Sequence, residues 1–281
     1  MARVVGWTLL DAPRRDASQA AWILHYASWI VARSFTIILL LVLWEALARS
    51  GTVSRFMLPP LAPVIERVSD DVASGEFFLN TARTLSRALA GFAIAGVGGI
   101  ALGMLMVRSA LARWFFEPVI SAGFPMPKVA FLPIFILWFG VYDMSKIMMV
   151  VVDAIFPVIT ATIVGLQGVE REFIWSARNM GARPREVLWQ IMLPAALPQI
   201  LTGLQVALPI AIVIAIATEM LMGGTGLGGS MLEASRMADS AGVFAGLVEM
   251  AVVGYAAIKG MALIRRRLLL WHQETHRPTG I

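Results

Sequence analysis

The sequence predicts an all-α membrane protein that crosses the bilayer about six times. Hydrophobic residues make up 58% of the 281-residue chain and charged residues only 15%, whereas about a quarter of the residues in soluble domains are charged. Six stretches are apolar enough over roughly 20 residues to span a bilayer. They are 29–49, 85–107, 114–139, 146–167, 194–220 and 241–264. Cysteine is absent from the sequence, which excludes disulfides and thiolate metal sites.

The distribution of lysine and arginine predicts that both ends of the chain lie in the cytoplasm. In that orientation fourteen of the 23 basic residues fall on the inner side, as the positive-inside rule requires. The loop 50–84 is an exception with three arginines. We therefore expect an interfacial N-terminal segment at 1–28, a transmembrane region at 29–264 and a cytoplasmic tail at 265–281. A cleaved signal peptide is disfavoured, because the residues that would precede its apolar stretch are too numerous and too apolar.

The second predicted span carries small residues at four-residue spacing. They are Gly91, Ala95, Gly99 and Gly103. A face of small side chains allows the backbone of another helix to approach closely. The neighbouring helix could belong to the same chain or to a second subunit, and we expect packing within the chain.

The third predicted span cannot be one straight helix, because it contains four prolines. They are Pro118, Pro125, Pro127 and Pro133. Proline removes a helical hydrogen bond and clashes with the preceding turn. Irregular backbone at membrane depth is tolerated only where protein or a water-filled cavity covers it. The span is therefore expected to be broken and to line a transport pathway, with a merely kinked structural helix as the alternative.

Charged residues inside or near predicted spans need a physical reason, because an isolated charge at the bilayer centre is costly. Lys128 lies between Pro127 and the next helical stretch, where a cation could attract an anionic substrate; Pro125 and Pro127 would shape this site. The alternative is that Lys128 pairs with Asp153 on the fourth span or extends toward the interface. Glu219, near the outer end of the fifth span, could serve an outer gate or contact a binding protein, but a helix-end charge that seeks water is favoured.

A polar stretch at 169–193 separates the fourth and fifth spans and predicts two short helices joined at Gly181. The first helix has apolar residues at spacings of three and four: Phe173, Ile174, Ala177 and Met180. Gly181 suits the left-handed position that ends a helix, and Pro184 suits the first position of the next one. Such an elbow, joined rigidly to a membrane helix, is suited to receive force from a soluble partner; a plain solvated loop is the alternative.

The elbow resembles a known motif. Gly181 is followed after nine residues by Ile191-Met192-Leu193-Pro194, which is similar to the core of the EAA loop of binding-protein-dependent ABC importer permeases. Ala177 matches the last alanine of that motif, whereas Trp175 and Ser176 stand where the family often has glutamate and alanine. The resemblance implies a type I ABC importer permease fold and assigns ATPase coupling to six residues. They are Ala177, Gly181, Ala182, Ile191, Leu193 and Pro194.

Further stretches resemble the branch of this family that transports taurine, alkanesulfonates and nitrate. They are 57–68, 84–109, 132–147, 193–208 and 268–274. The resemblance implies a bacterial inner-membrane importer with a second permease subunit, expected to be an identical copy. A cytoplasmic dimer of ABC ATPases would bind ATP and Mg, and a periplasmic or lipid-anchored protein would deliver a small anion such as a sulfonate, taurine, nitrate or an organic carboxylate.

Other functional classes fit the sequence less well. The glycine-rich stretch 223–230 has no lysine and is not a phosphate-binding loop, so we expect no ATP hydrolysis, cofactor or metal in this chain. A secondary transporter or channel without an ATPase is the main alternative, but no convincing internal repeat is found. A membrane enzyme would need clustered histidine or acidic residues. Nucleic-acid binding is excluded because the arginines lie between apolar segments.

Overall fold

Every regular element in the computed structural model, which describes residues 35–269, is helical. The predicted N-terminal segment 1–28, residues 29–34 of the first span and residues 270–281 of the tail lie outside the described residues. In chain order the elements are α1 (35–49), α2 (Leu61–Ser74), α3 (Glu76–Arg108), α4 (Ala110–Gly123), a 3₁₀ turn (Lys128–Phe131), α5 (Leu132–Phe139), α6 (Asp143–Gln167), α7 (Arg171–Asn179), α8 (Pro184–Glu186), a π-helical segment (Val187–Met192), α9 (Leu193–Met222), α10 (Leu227–Arg236) and α11 (Ser240–Leu268).

Four helical stretches are long and apolar enough to cross a membrane. They are Glu76–Arg108, Asp143–Gln167, Pro184–Arg236 and Ser240–Leu268, and they contain the second, fourth, fifth and sixth predicted spans. α4 and the stretch Lys128–Phe139 form one further crossing if they are counted together, and they meet at an angle of 103°. The break predicted from the prolines of the third span is therefore present. A total of six crossings stays a prediction, because only 35–49 of the first span is described.

The chain divides into two units, Met1–Glu66 and Arg67–Ile281. Within the first unit, the end of α1 holds the start of α2. The Glu45 carboxylate accepts a hydrogen bond from the Leu61 backbone N–H at 2.8 Å, and Trp44 Nε1 donates to the Pro59 carbonyl at 2.8 Å. Glu45 thus satisfies one of the backbone donors left unpaired at the first turn of a helix.

The small-residue face of α3 packs against α6 of the same chain. A Cβ atom added at three of its glycines would approach an α6 side chain to 2.6–2.9 Å, a distance that real Cβ contacts do not reach. The pairs are Gly91 with Val150, Gly99 with Val158 and Gly103 with Thr162. Ala95, on the same face, is fully buried. The prediction of close packing within the chain is confirmed.

α6 also packs closely against α9, which completes a three-helix core in the second unit. Gly203 of α9 faces Ala161 and the Pro157 carbonyl of α6 so closely that a side chain there would clash. Buried residues of α3, α6 and α9, among them Ala88, Met149, Val158 and Ala211, form one continuous apolar cluster. α9 runs from the end of the bundle that carries α7, here called the elbow end, to the opposite end.

Candidate functional site

The segment between α6 and α9 turns sharply at Gly181. This residue has φ of +87°, the left-handed conformation that the sequence predicted for it. The backbone N–H of Ala182 bonds to the Ala177 carbonyl at 3.0 Å and that of Gly181 to the Arg178 carbonyl at 3.0 Å, which closes the end of α7 in the pattern typical of a C-terminal glycine. A Cβ atom at Gly181 would meet nothing within 4 Å, so the requirement for glycine arises from the backbone angle and not from space.

The second part of the segment differs from the predicted α-helix. Pro184 does begin α8, and the Glu186 carboxylate accepts from the Arg183 N–H at 2.6 Å, but the helix continues as the π segment Val187–Met192. Leu193 N–H bonds to the carbonyl of Leu188, five residues back, and Pro194 then supplies no N–H. Proline therefore removes a hydrogen bond that an α-helical register would need here, and π segments of this kind often lie at functional sites.

The six predicted coupling residues occupy different environments on this segment. Ala177 is buried and anchors α7, whereas Gly181 and Pro194 are exposed. The others, Ala182, Ile191 and Leu193, are half-buried. The segment thus has an anchored side and an open side.

The apolar face predicted for α7 is only partly buried. Ile174 and Ala177 turn toward the chain, but Phe173 and Met180 do not. Together with Trp175 and Trp189 they leave four large apolar side chains exposed, by 57% to 81%; we call these four residues the elbow patch. Phe173 and Met180 are exposed because α7 has nine residues and only its middle turn lies against the chain.

Lys128 lies at the bend of the broken span, directly after Pro125 and Pro127, which are both exposed. Its Nζ atom lies 3.3 Å from Asp153 Oδ1 and donates to the Phe124 carbonyl at 2.9 Å. The same atom lies over two aromatic rings, 5.0 Å from the centroid of Phe156 and 5.7 Å from that of Phe124. The pairing with Asp153, considered as an alternative from the sequence, is the arrangement observed.

The Lys128–Asp153 pair remains partly accessible. The two side chains are 12% and 18% exposed, so they are neither on an open surface nor sealed in the core. A cation held by one carboxylate and two aromatic faces is stabilised in a low-dielectric setting.

Glu219 is the centre of a buried polar network at the opposite end from the elbow. Its side chain is 0% exposed and forms an ion pair with Arg87 at 2.6 Å. It also accepts hydrogen bonds from Thr84 Oγ1 at 2.8 Å and from the Gly228 N–H at 3.1 Å. The expectation that Glu219 seeks water at a helix end was wrong, because these donors provide more favourable partners than solvent at that position.

Comparisons with known proteins decide the family. Residues 95–269 match the family described as binding-protein-dependent transport system inner membrane component. The chain belongs to this family. The taurine transport system permease protein TauC of Escherichia coli (strain K12) is 31% identical over 245 residues, covering 85% of this chain and 89% of the relative. The formylaminopyrimidine transport permease protein ThiX of Halalkalibacterium halodurans is 32% identical, covering 84% and 94%.

Solved structures agree on the fold. An inward-facing MetNI methionine ABC transporter matches this permease with a TM-score of 0.60 at 17% identity, covering 68% of this chain and 95% of that chain. At this identity the likeness shows the fold alone, which is that of a type I ABC importer permease. The permease is thus a multi-pass inner-membrane protein of the ABC transporter class.

Sequence reasoning missed the partners of Glu219 in this permease, above all Arg87. Arg87 also donates to Asp143 Oδ1 at 2.8 Å and to the Thr225 carbonyl at 2.5 Å, so it connects α3 with α6 and with the turn before α10. A signal was available, since Arg87 is a lone cation just inside an apolar stretch and such residues usually have a partner. The identity of that partner was not available, because Glu219 lies 132 positions away.

Proposed function

We propose that this permease is the membrane-spanning subunit of an ATP-driven importer for a small anion. A cytoplasmic dimer of ABC ATPases would bind ATP and Mg and hydrolyse the ATP, and a second copy of the chain would complete the pathway. A periplasmic or lipid-anchored binding protein would deliver the substrate, with both chain termini in the cytoplasm. The alternative is a secondary transporter or channel that works without an ATPase.

The geometry of the elbow carries this proposal. The left-handed Gly181 lets α7 fold back against the body, where the buried Ala177 anchors it. The elbow patch is left exposed on a segment whose neighbours are charged, and apolar side chains of this size in such surroundings are typical of protein interaction sites. From Pro184 onward the chain continues through the π segment into α9, which ends at Met222. Force applied to the elbow would therefore act directly on α9.

The charge at the bend supports an anionic substrate. Lys128 places a cation beside the break in the third span, where it pairs with Asp153. A substrate anion would compete with Asp153 for this cation. Relatives named for the transport of taurine and of aliphatic sulfonates support a sulfonate. A relative named for riboflavin transport indicates that the branch also carries other compounds, so the substrate must be measured.

The experiment that tests coupling replaces Gly181 with valine. A β-branched residue opposes the left-handed conformation, so Gly181→Val should abolish uptake while the protein still reaches the membrane. Gly260→Val in α11 is the matched control, because Gly260 has an ordinary helical φ and a Cβ atom there meets nothing within 4 Å. Normal uptake by Gly181→Val would contradict the elbow proposal.

Affinity purification of the tagged permease from its native membrane separates the two classes of transporter. Co-purification of an ATPase with a Walker motif supports the importer, and its absence favours the secondary transporter or channel. ATPase activity of the complex with its binding protein, measured with taurine, alkanesulfonates, nitrate, bicarbonate, aromatic carboxylates and pyrimidine precursors, would then identify the substrate.

A further inference from the structure

A cleft of about 540 Å³ opens at the elbow end, where the last turn of α3, the helix α4 and the second half of α6 meet. Its lining includes Met106 of α3, Arg113 and Glu117 of α4, and Thr160 and Gln167 of α6. The volume lies in the range of small-molecule sites, which combine apolar walls with a few polar groups.

The cleft borders the Lys128–Asp153 pair. Phe124 lines the cleft, and the same residue contacts Lys128 through its ring, at 5.7 Å from Nζ, and through its carbonyl. On the α6 side, Thr160 Oγ1 donates at 3.0 Å to the carbonyl of Phe156, whose ring also lies against Lys128. The cleft thus continues from the bend of the third span toward the elbow end.

Two opposite charges line this cleft about one helical turn apart. Arg113 and Glu117 are both exposed, and four helical residues rise by about 6 Å. Within residues 35–269, the Arg113 side chain makes one hydrogen bond, from Nε to the Met106 carbonyl at 3.4 Å, and the Glu117 side chain has no hydrogen-bond or ion-pair partner. Charged residues within a membrane span usually pair or face a polar pathway, so both groups are available to a ligand.

The signs of the two charges determine which ligand fits. A guanidinium group binds oxyanions through paired N–H donors. A simple anion on Arg113 would lie close to the Glu117 carboxylate, and this like charge would oppose its binding. An ammonium group on the same molecule would remove the repulsion and pair with Glu117. The cleft therefore fits a short molecule with an oxyanion at one end and an ammonium group at the other.

We infer that this cleft is a binding site for a small zwitterion, whose oxyanion contacts Arg113 and whose ammonium group contacts Glu117. The inference rests on the proposed function, and it narrows the substrate from any small anion to one that also carries an amine. Lys128 attracts the oxyanion at the bend, and the cleft receives the substrate on the elbow side of that bend.

Equilibrium binding to the full chain in nanodiscs of phosphatidylglycerol tests this site, because that lipid has no ammonium group. Tritiated taurine is displaced by unlabelled taurine or β-alanine, and by ethanesulfonate or propionate, which are the same two molecules without the amine. Each zwitterion should bind at least about tenfold more tightly than its counterpart, since it adds a charge-assisted hydrogen bond.

Two substitutions separate the roles of the two charges. Glu117→Gln should abolish the preference for the zwitterions, whereas Arg113→Gln should weaken the binding of all four compounds. Glu233→Gln and Arg108→Gln are the matched controls, because both residues are exposed and neither lines the cleft. The control variants should bind the four compounds as the wild-type permease does.

The absence of saturable taurine binding, or equal affinities for taurine and ethanesulfonate, would overturn the inference. A preference that persists in Glu117→Gln but is lost in Asp153→Asn would also overturn it, since the ammonium group would then lie at the bend. Phosphatidylethanolamine carries the same two charges and should not displace taurine from mixed nanodiscs; displacement would assign the cleft to a lipid headgroup instead. Binding needs no ATPase, so its failure is distinct from a failed co-purification.

Discussion

Replacing Glu219 with glutamine should destabilise the permease without changing its shape. The substitution removes the charge that pairs with Arg87 at 2.6 Å in a site from which water is excluded. Breaking a buried ion pair by neutralising one partner costs about 3–5 kcal/mol. Here the loss should lie at the lower end, because the amide oxygen can still accept from Thr84 and Gly228, and Arg87 retains Asp143.

The thermal midpoint of the purified protein in nanodiscs measures this effect. A loss of about 3 kcal/mol corresponds to a fall in Tm of roughly 6–12 °C for a chain of this size. Glu233→Gln is the matched control, because Glu233 is exposed on α10 and neutralising it should leave Tm within about 1–2 °C. If Glu219→Gln and Glu233→Gln unfold at the same temperature, the network does not hold the opposite end of the bundle together.

Two further substitutions test the packing of the core and the pathway charge. Gly99→Ala should cost about 1–3 kcal/mol through overpacking, because its Cβ would lie 2.9 Å from Val158 Cβ; the neighbouring Gly98→Ala, with 3.7 Å to Ile155, should not lower Tm. If Gly99→Ala and Gly98→Ala have the same Tm, α3 and α6 separate easily. Lys128→Met should lower uptake of the anionic substrate about tenfold, equivalent to ~1.4 kcal/mol, whereas Asp153→Asn should leave uptake unchanged. Transport assays on both variants measure this difference. Equal losses in both variants would mean that the pair is structural.

Features that depend on local backbone chemistry could be predicted from the sequence. The four prolines of the third span predicted its break, and Gly181 predicted the left-handed end of α7, because proline and glycine restrict or permit backbone angles wherever they occur. The close packing of Gly99 was predicted as well, since a repeated small residue has few uses in a membrane helix other than close approach.

Features that depend on distant parts of the chain could not be predicted in this way. From the sequence, Glu219 is interpreted as a charge at a helix end. Only the folded chain brings Arg87 and the turn at Thr225 next to it. The partner of Gln205 in α9 was missed for a similar reason. Gln205 is an isolated polar residue in an apolar run, and it accepts a hydrogen bond from Arg265, which lies 60 positions away in α11.

The positions of the rigid and the irregular segments indicate where a movement of the elbow would change the shape of the transport pathway. The close contacts of α3 with α6 and the buried network around Glu219 join α3, α6 and α9 into one body that resists internal shear. At the other end of α9, the π segment Val187–Met192 and Pro194 interrupt the regular hydrogen bonding, so this joint is where α9 can yield. Force on the elbow would therefore bend the chain at the first turns of α9, close to Ala195 and Gln199. The buried network around Glu219, at the opposite end of α9, would keep its geometry during such a movement.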